Sequence, residues 1–158
     1  MPSQSTSFDV VIVGGGMVGA AMAAACHGQG YSVAVIDGQP PQREWPAGEV
    51  DLRVSALSRA SQRILERLGA WQRIEQLGAS PYREMQVWDA LGGAGIHFDS
   101  ADLGQPDLGH IVENRVMRLA LWDNWNSQPT WNCSVQQRSR PYPSISMLLG
   151  QASPMAAS

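Results

Sequence analysis

Lysine is absent from this sequence, and cysteine is scarce. The 158 residues include 11 arginines and carry a net charge of −3, which excludes a basic surface able to hold nucleic acid. The two cysteines, Cys26 and Cys133, lie 107 positions apart in no metal-ligand pattern. We therefore expect free thiols in a reducing compartment and no metal site.

Long apolar runs are missing as well. The longest, at 10–13 and 20–26, fall far below the about 18–20 residues of a membrane span. No cationic segment precedes an apolar stretch near the start of the sequence, so no secretory signal is expected. A hydrophobic content of 44% can supply a core. These features predict a cytoplasmic globular protein about the size of one domain.

The sequence does contain a strand–helix–strand pattern near its start. Residues 8–13 (FDVVIV) form a β-branched apolar run, which is typical of a strand buried on both faces of a parallel sheet. A small-residue stretch at 17–27 predicts a helix whose alanines allow close approach to that sheet. Residues 31–36 (YSVAVI) predict a second strand. The whole fits one βαβ unit with a parallel strand pair.

A GxGxxG pattern joins the first strand to the helix. Gly14 permits a tight turn, Gly16 lets the backbone approach a pyrophosphate, and Gly19 lets the helix lie close to the strand. Met17 and Val18 belong to the helix start, whose unpaired N–H groups attract phosphate. The pattern predicts a site for the ADP half of FAD or NAD. A glycine-rich turn that binds nothing is the alternative.

An acidic residue completes this fingerprint. Asp37 ends the second strand, 18 residues after Gly19, where a carboxylate accepts hydrogen bonds from a ribose diol. A 2′-phosphate at the same place would be repelled by the carboxylate. Asp37 therefore favours FAD or NAD over NADP at this site.

Further elements follow a proline-rich loop at 38–50. The periodicity predicts an amphipathic helix from Ser55 that stops at Gly69. Asn114 is an N-cap candidate for a helix with Met117, Ala120, Leu121 and Trp125 on one face. The other predicted elements are a helix at 71–77 that ends at Gly78, and a hairpin of strands 85–89 and 95–99.

The composition changes after Asp123. Residues 124–158 contain no Asp or Glu and four prolines, so this part of the chain favours disorder. We predict an N-terminal cofactor-binding region at 1–127 and a disordered tail at 128–158. A frameshift or a truncated gene explains that change, and an authentic divergent tail is the alternative.

Five segments carry a family resemblance. In order they are FDVVIVGGGMVG at 8–19, DLRVSAL at 51–57, LGAW at 68–71, MQVWD at 85–89 and GHIVENRVMRLAL at 109–121. Together they resemble the N-terminal part of the flavin-dependent ubiquinone-biosynthesis hydroxylases, nearest to the branch that acts on polyprenylphenols. These are class A aromatic monooxygenases of the p-hydroxybenzoate hydroxylase fold. The resemblance covers residues 8–125.

The resemblance implies an incomplete α/β fold: a Rossmann-like FAD-binding domain with a parallel sheet and an added hairpin. It implies FAD as cofactor, and it assigns Arg53 to the flavin side and Asn114 to FAD contact. The resemblance also offers Arg118, one turn after Asn114, as a further candidate for FAD contact. From the residues alone, Arg53 is a solvated arginine, Asn114 a helix cap, and Arg118 part of a solvated helix face. No catalytic side chain is assigned, because the flavin supplies the chemistry.

The implied activity is hydroxylation of a polyprenylated phenol with NAD(P)H and O₂ in ubiquinone biosynthesis. Peripheral association with the inner membrane, or with a ubiquinone-biosynthesis complex, is compatible with such a substrate. Because the later parts of the family are missing here, we expect the chain to be inactive alone. An NAD- or FAD-binding Rossmann module without hydroxylase activity is the alternative function.

Overall fold

The computed structural model describes the backbone of residues 7–126 and 132–135, and the side chains of residues 7–124. The strands of this part of the chain form three separate sheets. In chain order the elements are β1 (Val10–Val13), α1 (Met17–Gly28), β2 (Val33–Asp37), β3 (Val54–Ser58), α2 (Arg59–Arg67), α3 (Trp71–Leu77), β4 (Ser80–Tyr82), β5 (Glu84–Trp88), β6 (Gly95–Asp99), a 3₁₀ helix (Ala101–Leu103), β7 (Gly109–Glu113), α4 (Asn114–Asn126) and β8 (Asn132–Val135).

A parallel pair of strands confirms the predicted strand–helix–strand unit. β1 and β2 run parallel with Val10 opposite Val33. Helix α1 packs on this pair and buries Ala20, Ala23 and Ala24 in the core. Alanine keeps the helix surface flat while favouring the helix, so α1 lies close to the sheet, as its composition predicts.

The structure differs from the predicted disordered tail in one segment. β8 pairs in parallel with β2, with Ala34 opposite Asn132 and Asp37 opposite Val135, so the strand order is β1-β2-β8. Its hydrogen-bonding partner is distant in sequence, and composition alone does not reveal such a pairing. The other residues of 128–158 lie outside the described residues, so the 127/128 boundary and the reading-frame hypothesis stay predictions.

The predicted helix from Ser55 is wrong in its first turn. Residues Val54–Ser58 form strand β3, which pairs antiparallel with β7, and β7 pairs in turn with β4. Helix α2 begins only at Arg59, where the Ser58 side chain accepts a hydrogen bond from Ser61 N. Leu57 fits the helical period, but the backbone of β3 forms inter-strand hydrogen bonds with β7 instead of helical ones. Neither β4 nor β7 was predicted.

The ends of the next two helices agree with the sequence. Gly69 follows the C-cap of α2 with a φ of +74°, a conformation that glycine adopts without steric cost. Gly78 is the C-cap of α3. Both predicted stops are confirmed.

Strands β5 and β6 confirm the predicted hairpin. The cross-strand pairs Met85–Phe98 and Val87–Ile96 share one face of this two-stranded sheet. All four side chains are exposed. The hairpin therefore presents an apolar face to solvent.

Helix α4 lies at the centre of the core. It packs on α1, α3 and β7. The predicted core residues Met117, Ala120 and Leu121 are buried, whereas the Trp125 side chain lies outside the described ones. Among the helices that the structure describes, none has the length and apolar character to span a membrane.

Candidate nucleotide-binding site

The glycine turn, residues 14–19, connects β1 to α1. Gly14 has a φ of +99°, which a residue with a side chain rarely adopts. Its N–H donates a 2.7 Å hydrogen bond to the Ile36 carbonyl and so prolongs the pairing of β1 with β2. The first glycine therefore makes the tight turn that the pattern predicts.

The other two glycines of the pattern differ in their surroundings. A Cβ at Gly19 would lie 1.9 Å from the Gly14 carbonyl oxygen, so the helix can approach the turn only without a side chain. A Cβ at Gly16 would meet nothing within 4 Å. Gly19 thus has a packing role, while the space next to Gly16 is open for a ligand.

The first turn of α1 contributes no side chain that would compete with a bound anion. Gly16 is the N-cap with no side-chain hydrogen bond, and the first turn contains no acidic residue. Met17 is half-buried and Val18 is exposed. The first N–H groups of a helix lack intrahelical partners and carry partial positive charge, so this end suits an anion.

Asp37 reaches the glycine turn from the end of β2. Its Oδ2 accepts a 2.6 Å hydrogen bond from Gly15 N, and its Oδ1 accepts a 3.0 Å bond from Gln39 N. The structure therefore brings the predicted carboxylate and the predicted turn together. Oδ1 retains capacity for a further donor, because a carboxylate oxygen can accept two hydrogen bonds.

Arg118 of α4 also contacts the glycine turn and Asp37. Its Nε donates to Gly15 O at 3.1 Å, and its Nη2 contacts Asp37 Oδ2 at 3.2 Å and Gln39 O at 2.5 Å. The prediction of a solvated helix face is thus wrong for Arg118. The signal was its spacing of four residues from Asn114, which places both on one face of α4.

Trp122 continues that face and constrains the middle glycine. Its indole Nε1 donates a 2.8 Å hydrogen bond to the Gly15 carbonyl. A Cβ on Gly15 would lie 2.5 Å from Trp122 Cζ2 and 3.0 Å from Asp37 Oδ2. The position that GxGxxG leaves unspecified is therefore restricted to glycine here.

Arg53 and Asn114 lie next to each other at the junction of β3 and α4. Asn114 N donates to the Arg53 carbonyl at 2.9 Å, and Asn114 Oδ1 accepts a 2.7 Å bond from Ser55 Oγ. The Arg53 side chain is exposed. Asn114 thus begins α4 but bonds to β3 through its side chain, and its amide NH₂ is the donor it can offer to a ligand.

The loop before Arg53 is held by Arg115. The Arg115 guanidinium contacts Glu113 at 2.6 Å and Glu49 at 2.9 Å, and it lies 4.6 Å over the Trp45 ring. Burial lowers the pKa of Arg115, but the hydrogen bonds that Arg115 donates to these two glutamates, together with their negative charges, outweigh burial and hold the pKa above its ordinary value. This charged anchor fixes the path of the chain toward Arg53.

Metal chemistry has no support in this part of the chain. Over residues 7–124, no cluster of His, Cys, Asp and Glu could hold a metal ion. Cys26 is a free, half-buried thiol on α1, and the Cys133 side chain lies outside the described ones. The site is built from backbone N–H groups, one carboxylate and arginines.

A family described as FAD binding domain matches residues 9–95, which is more than half of the chain. The chain belongs to this FAD-binding family. Its cofactor is FAD, as the sequence resemblance implies. The glycine turn, Asp37 and Arg53 all lie inside the matched range.

The curated relatives of this FAD-binding chain include ubiquinone-biosynthesis enzymes. The 3-demethoxyubiquinol 3-hydroxylase of Escherichia coli is 38% identical over 129 residues, a match that covers 82% of this chain and 32% of that protein. The human ubiquinone biosynthesis monooxygenase COQ6 is 40% identical over 124 residues, covering 75% and 26%. The chain thus spans about a third or less of the relatives it matches.

Solved structures confirm the predicted fold. A variant of PqsL from P. aeruginosa superimposes with a TM-score of 0.62 at 20% identity, over 81% of this chain and 33% of that one. At this identity the likeness shows the fold alone. It places the FAD-binding chain in the p-hydroxybenzoate hydroxylase fold, as a partial domain with parallel and antiparallel sheets.

Proposed function

We propose that this chain is the cofactor-binding portion of an FAD-dependent monooxygenase that hydroxylates a polyprenylated phenol in ubiquinone biosynthesis. The observation that carries the proposal is the open face of Gly16 at the start of α1, beside the Asp37 carboxylate, in a chain of the FAD-binding family. The names of the E. coli and human relatives support the substrate class.

The ADP half of FAD is assigned to the glycine turn. The backbone at Gly16 and the N–H groups of Met17 and Val18 at the start of α1 would hold its pyrophosphate through hydrogen bonds. Gly14 and Gly19 shape the turn but leave that space open. The helix dipole adds attraction for the negative charge.

The adenosine ribose is assigned to Asp37. Its Oδ2 is already bonded to Gly15 N, whereas Oδ1 has one backbone partner and can accept a ribose hydroxyl as well. A charge-assisted bond of this kind is among the stronger single contacts in a binding site.

The flavin end is assigned to Arg53 and Asn114. These two residues share a backbone hydrogen bond, and α4 connects them to the glycine turn through Arg118, about 6 Å further along the helix axis. The exposed guanidinium of Arg53 and the amide NH₂ of Asn114 are donors for the nitrogen and carbonyl acceptors of a flavin ring.

FAD held by these residues would supply the redox chemistry that links NAD(P)H oxidation to O₂. The net reaction consumes the phenol, O₂, NAD(P)H and a proton, and it forms the hydroxylated ring, NAD(P)⁺ and water. The chain's own residues bind and orient the cofactor. In this chain the region assigned to the flavin is open to water, because Leu52 is 98% exposed and the neighbouring Arg53 is exposed as well.

Efficient oxygen chemistry requires a site that excludes water, which this open surface does not provide. The substrate therefore binds in the whole protein, between this region and parts of it that the chain does not span. A membrane-soluble polyprenyl tail favours peripheral association with the inner membrane or with other enzymes of the pathway. Cytoplasmic location with such contact is part of the proposal.

FAD binding by the 158-residue chain is the first test. The purified chain is mixed with FAD, separated from free FAD by gel filtration, and examined for the visible flavin band. We expect wild-type chain to retain FAD and the Gly16→Val variant to lose it. Retention of NAD with no retention of FAD would instead support a Rossmann module without flavin.

Turnover is the second test. With FAD, NADH or NADPH, O₂ and a short-chain polyprenylphenol, we expect the chain to bind FAD but form no product. Coupled hydroxylation at about 1 s⁻¹ or more, which is typical of enzymes, would contradict the inference that the chain is inactive alone.

A further inference from the structure

Arg118 contacts three groups that come from two different segments of the site. Its guanidinium reaches the Gly15 carbonyl, the Asp37 carboxylate and the Gln39 carbonyl, which lie in the glycine turn and at the end of β2. A planar fork of donors can satisfy several oxygens at once, which the single ammonium of lysine cannot reproduce. Arg118 therefore ties the two segments to α4.

The Asp37 carboxylate creates an electrostatic difficulty at this site. It bonds to the backbone of the same turn that receives a doubly charged pyrophosphate, so carboxylate and ligand repel each other. Arg118 offsets this repulsion at Asp37 Oδ2. Both side chains are partly buried, with exposed fractions of 26% and 17%, so solvent screens the pair less than it would on an open surface.

The two oxygens of the Asp37 carboxylate have different hydrogen-bond partners. Oδ2 receives Gly15 N and Arg118, while Oδ1 receives Gln39 N alone. Two fixed donors on one oxygen hold the side chain in a single rotamer, so the other oxygen is offered in a fixed direction. Preorganisation of this kind raises affinity because less freedom is lost on binding.

We propose that Arg118 is a positioning residue for FAD, which fixes the Asp37 carboxylate against the glycine turn and compensates its charge. The proposal rests on the proposed function, because it assumes that Asp37 binds the FAD ribose. Arg118 itself need not touch the cofactor. Its effect on FAD affinity is therefore expected to depend on the presence of the Asp37 carboxylate.

A double-mutant cycle on FAD affinity tests this dependence. The variants are Arg118→Gln, Asp37→Asn and the pair combined, with Arg118→Lys as the conservative change. The exposed Arg63 of α2, changed to Gln, is the matched control for loss of one positive charge. Dissociation constants are measured by flavin fluorescence in equilibrium with the 158-residue chain, and the Tm of each apo variant is recorded.

We expect Arg118→Gln to weaken FAD binding by roughly ten- to a hundredfold, the range of one or two charge-assisted hydrogen bonds. Arg118→Lys should recover part of that loss, and Arg63→Gln should leave affinity unchanged. In the Asp37→Asn background, Arg118→Gln should cost less than roughly threefold. If Arg118→Gln does not fold, the Lys variant and its combination with Asp37→Asn provide the cycle.

Two results would overturn the proposal. One is unchanged FAD affinity in Arg118→Gln, and the other is a full loss that persists in the Asp37→Asn background, which indicates a purely structural role. Failure of the proposed function looks different, because wild-type chain would then not bind FAD, or Gly16→Val would bind it equally well.

Discussion

Gly16 and Gly19 belong to one sequence pattern, but the structure predicts opposite consequences for substitutions at the two positions. Gly16→Val adds a side chain where no atom lies within 4 Å, at a φ of −69° that valine adopts freely. We expect the free energy of unfolding of the apo chain to change by no more than about 0.5 kcal/mol. The added methyl groups instead fill the space assigned to the pyrophosphate.

The expected loss of FAD affinity follows from the hydrogen bonds that the valine blocks. Two bonds from helix-start N–H groups to charged phosphate oxygens contribute roughly 1.5–3 kcal/mol each. Losing them weakens binding by roughly a hundredfold or more. Gly16→Val should therefore fold like the wild type and fail to bind FAD.

Gly19→Ala should behave in the reverse way. Its Cβ would lie 1.9 Å from the Gly14 carbonyl oxygen, and a backbone atom cannot rotate aside as a long side chain can. Overpacking of this severity costs about 3 kcal/mol. In this chain of 158 residues a loss of that size corresponds to a Tm lower by about 6–12 °C.

Thermal melts of the apo proteins and FAD titrations measure the two effects separately. The pair of variants is its own control, because both add a side chain to the same turn. A Gly16→Val chain that melts far below the wild type, or that binds FAD with wild-type affinity, would refute the assignment of this space to the pyrophosphate. A stable Gly19→Ala chain would refute the packing argument.

Gly15→Ala should lower the Tm because its Cβ overlaps Trp122, and a second change, Trp122→Leu, should recover part of that loss in thermal melts. Asp37→Ala should weaken FAD binding by about 1.5–3 kcal/mol in fluorescence titrations, and Asp37→Asn should lose less because an amide oxygen still accepts a bond. Hydrogen bonds from the Ser32 hydroxyl and backbone N–H lower the pKa of Asp9 from 3.8. The ionised Asp9 carboxylate therefore stabilises the fold above pH 3.8, and this stabilisation is lost as the pH falls through the lowered pKa. The difference in Tm between wild type and Asp9→Asn should therefore be present at pH 7 and shrink below pH about 3.8; a constant difference would contradict it.

Local elements near the start of the chain could be predicted because their signals are local. The apolar run before Gly14 and the alanines of α1 each indicate one structure within a few residues. The stop of α2 at Gly69 is predictable for the same reason, since its positive φ is a property of that residue. These predictions needed no knowledge of distant partners.

The sheet formed by β3, β7 and β4 could not be predicted from local signals. Leu57 satisfies the helical period, but the backbone of β3 pairs with β7, which lies about fifty residues later in the sequence. The contacts of Arg118 with Gly15 and Asp37 likewise join positions far apart in the chain. Long-range pairings of this kind decide whether a segment becomes a helix or a strand. The local sequence pattern carries no information about them.

Bound FAD should also change the local opening of the parallel sheet β1-β2-β8, which hydrogen exchange measures. Among the described strands, β2 has a neighbour on each side, while β1, which leads into the glycine turn, pairs with β2 alone. Amide hydrogens of β1 should therefore exchange with solvent through a smaller local opening than those of β2. In the proposed complex FAD binds only the closed turn, so at about 100 times its Kd it opposes that opening by about 2.7 kcal/mol. We therefore expect bound FAD to protect β1, the strand that leads into the proposed cofactor turn, against local opening.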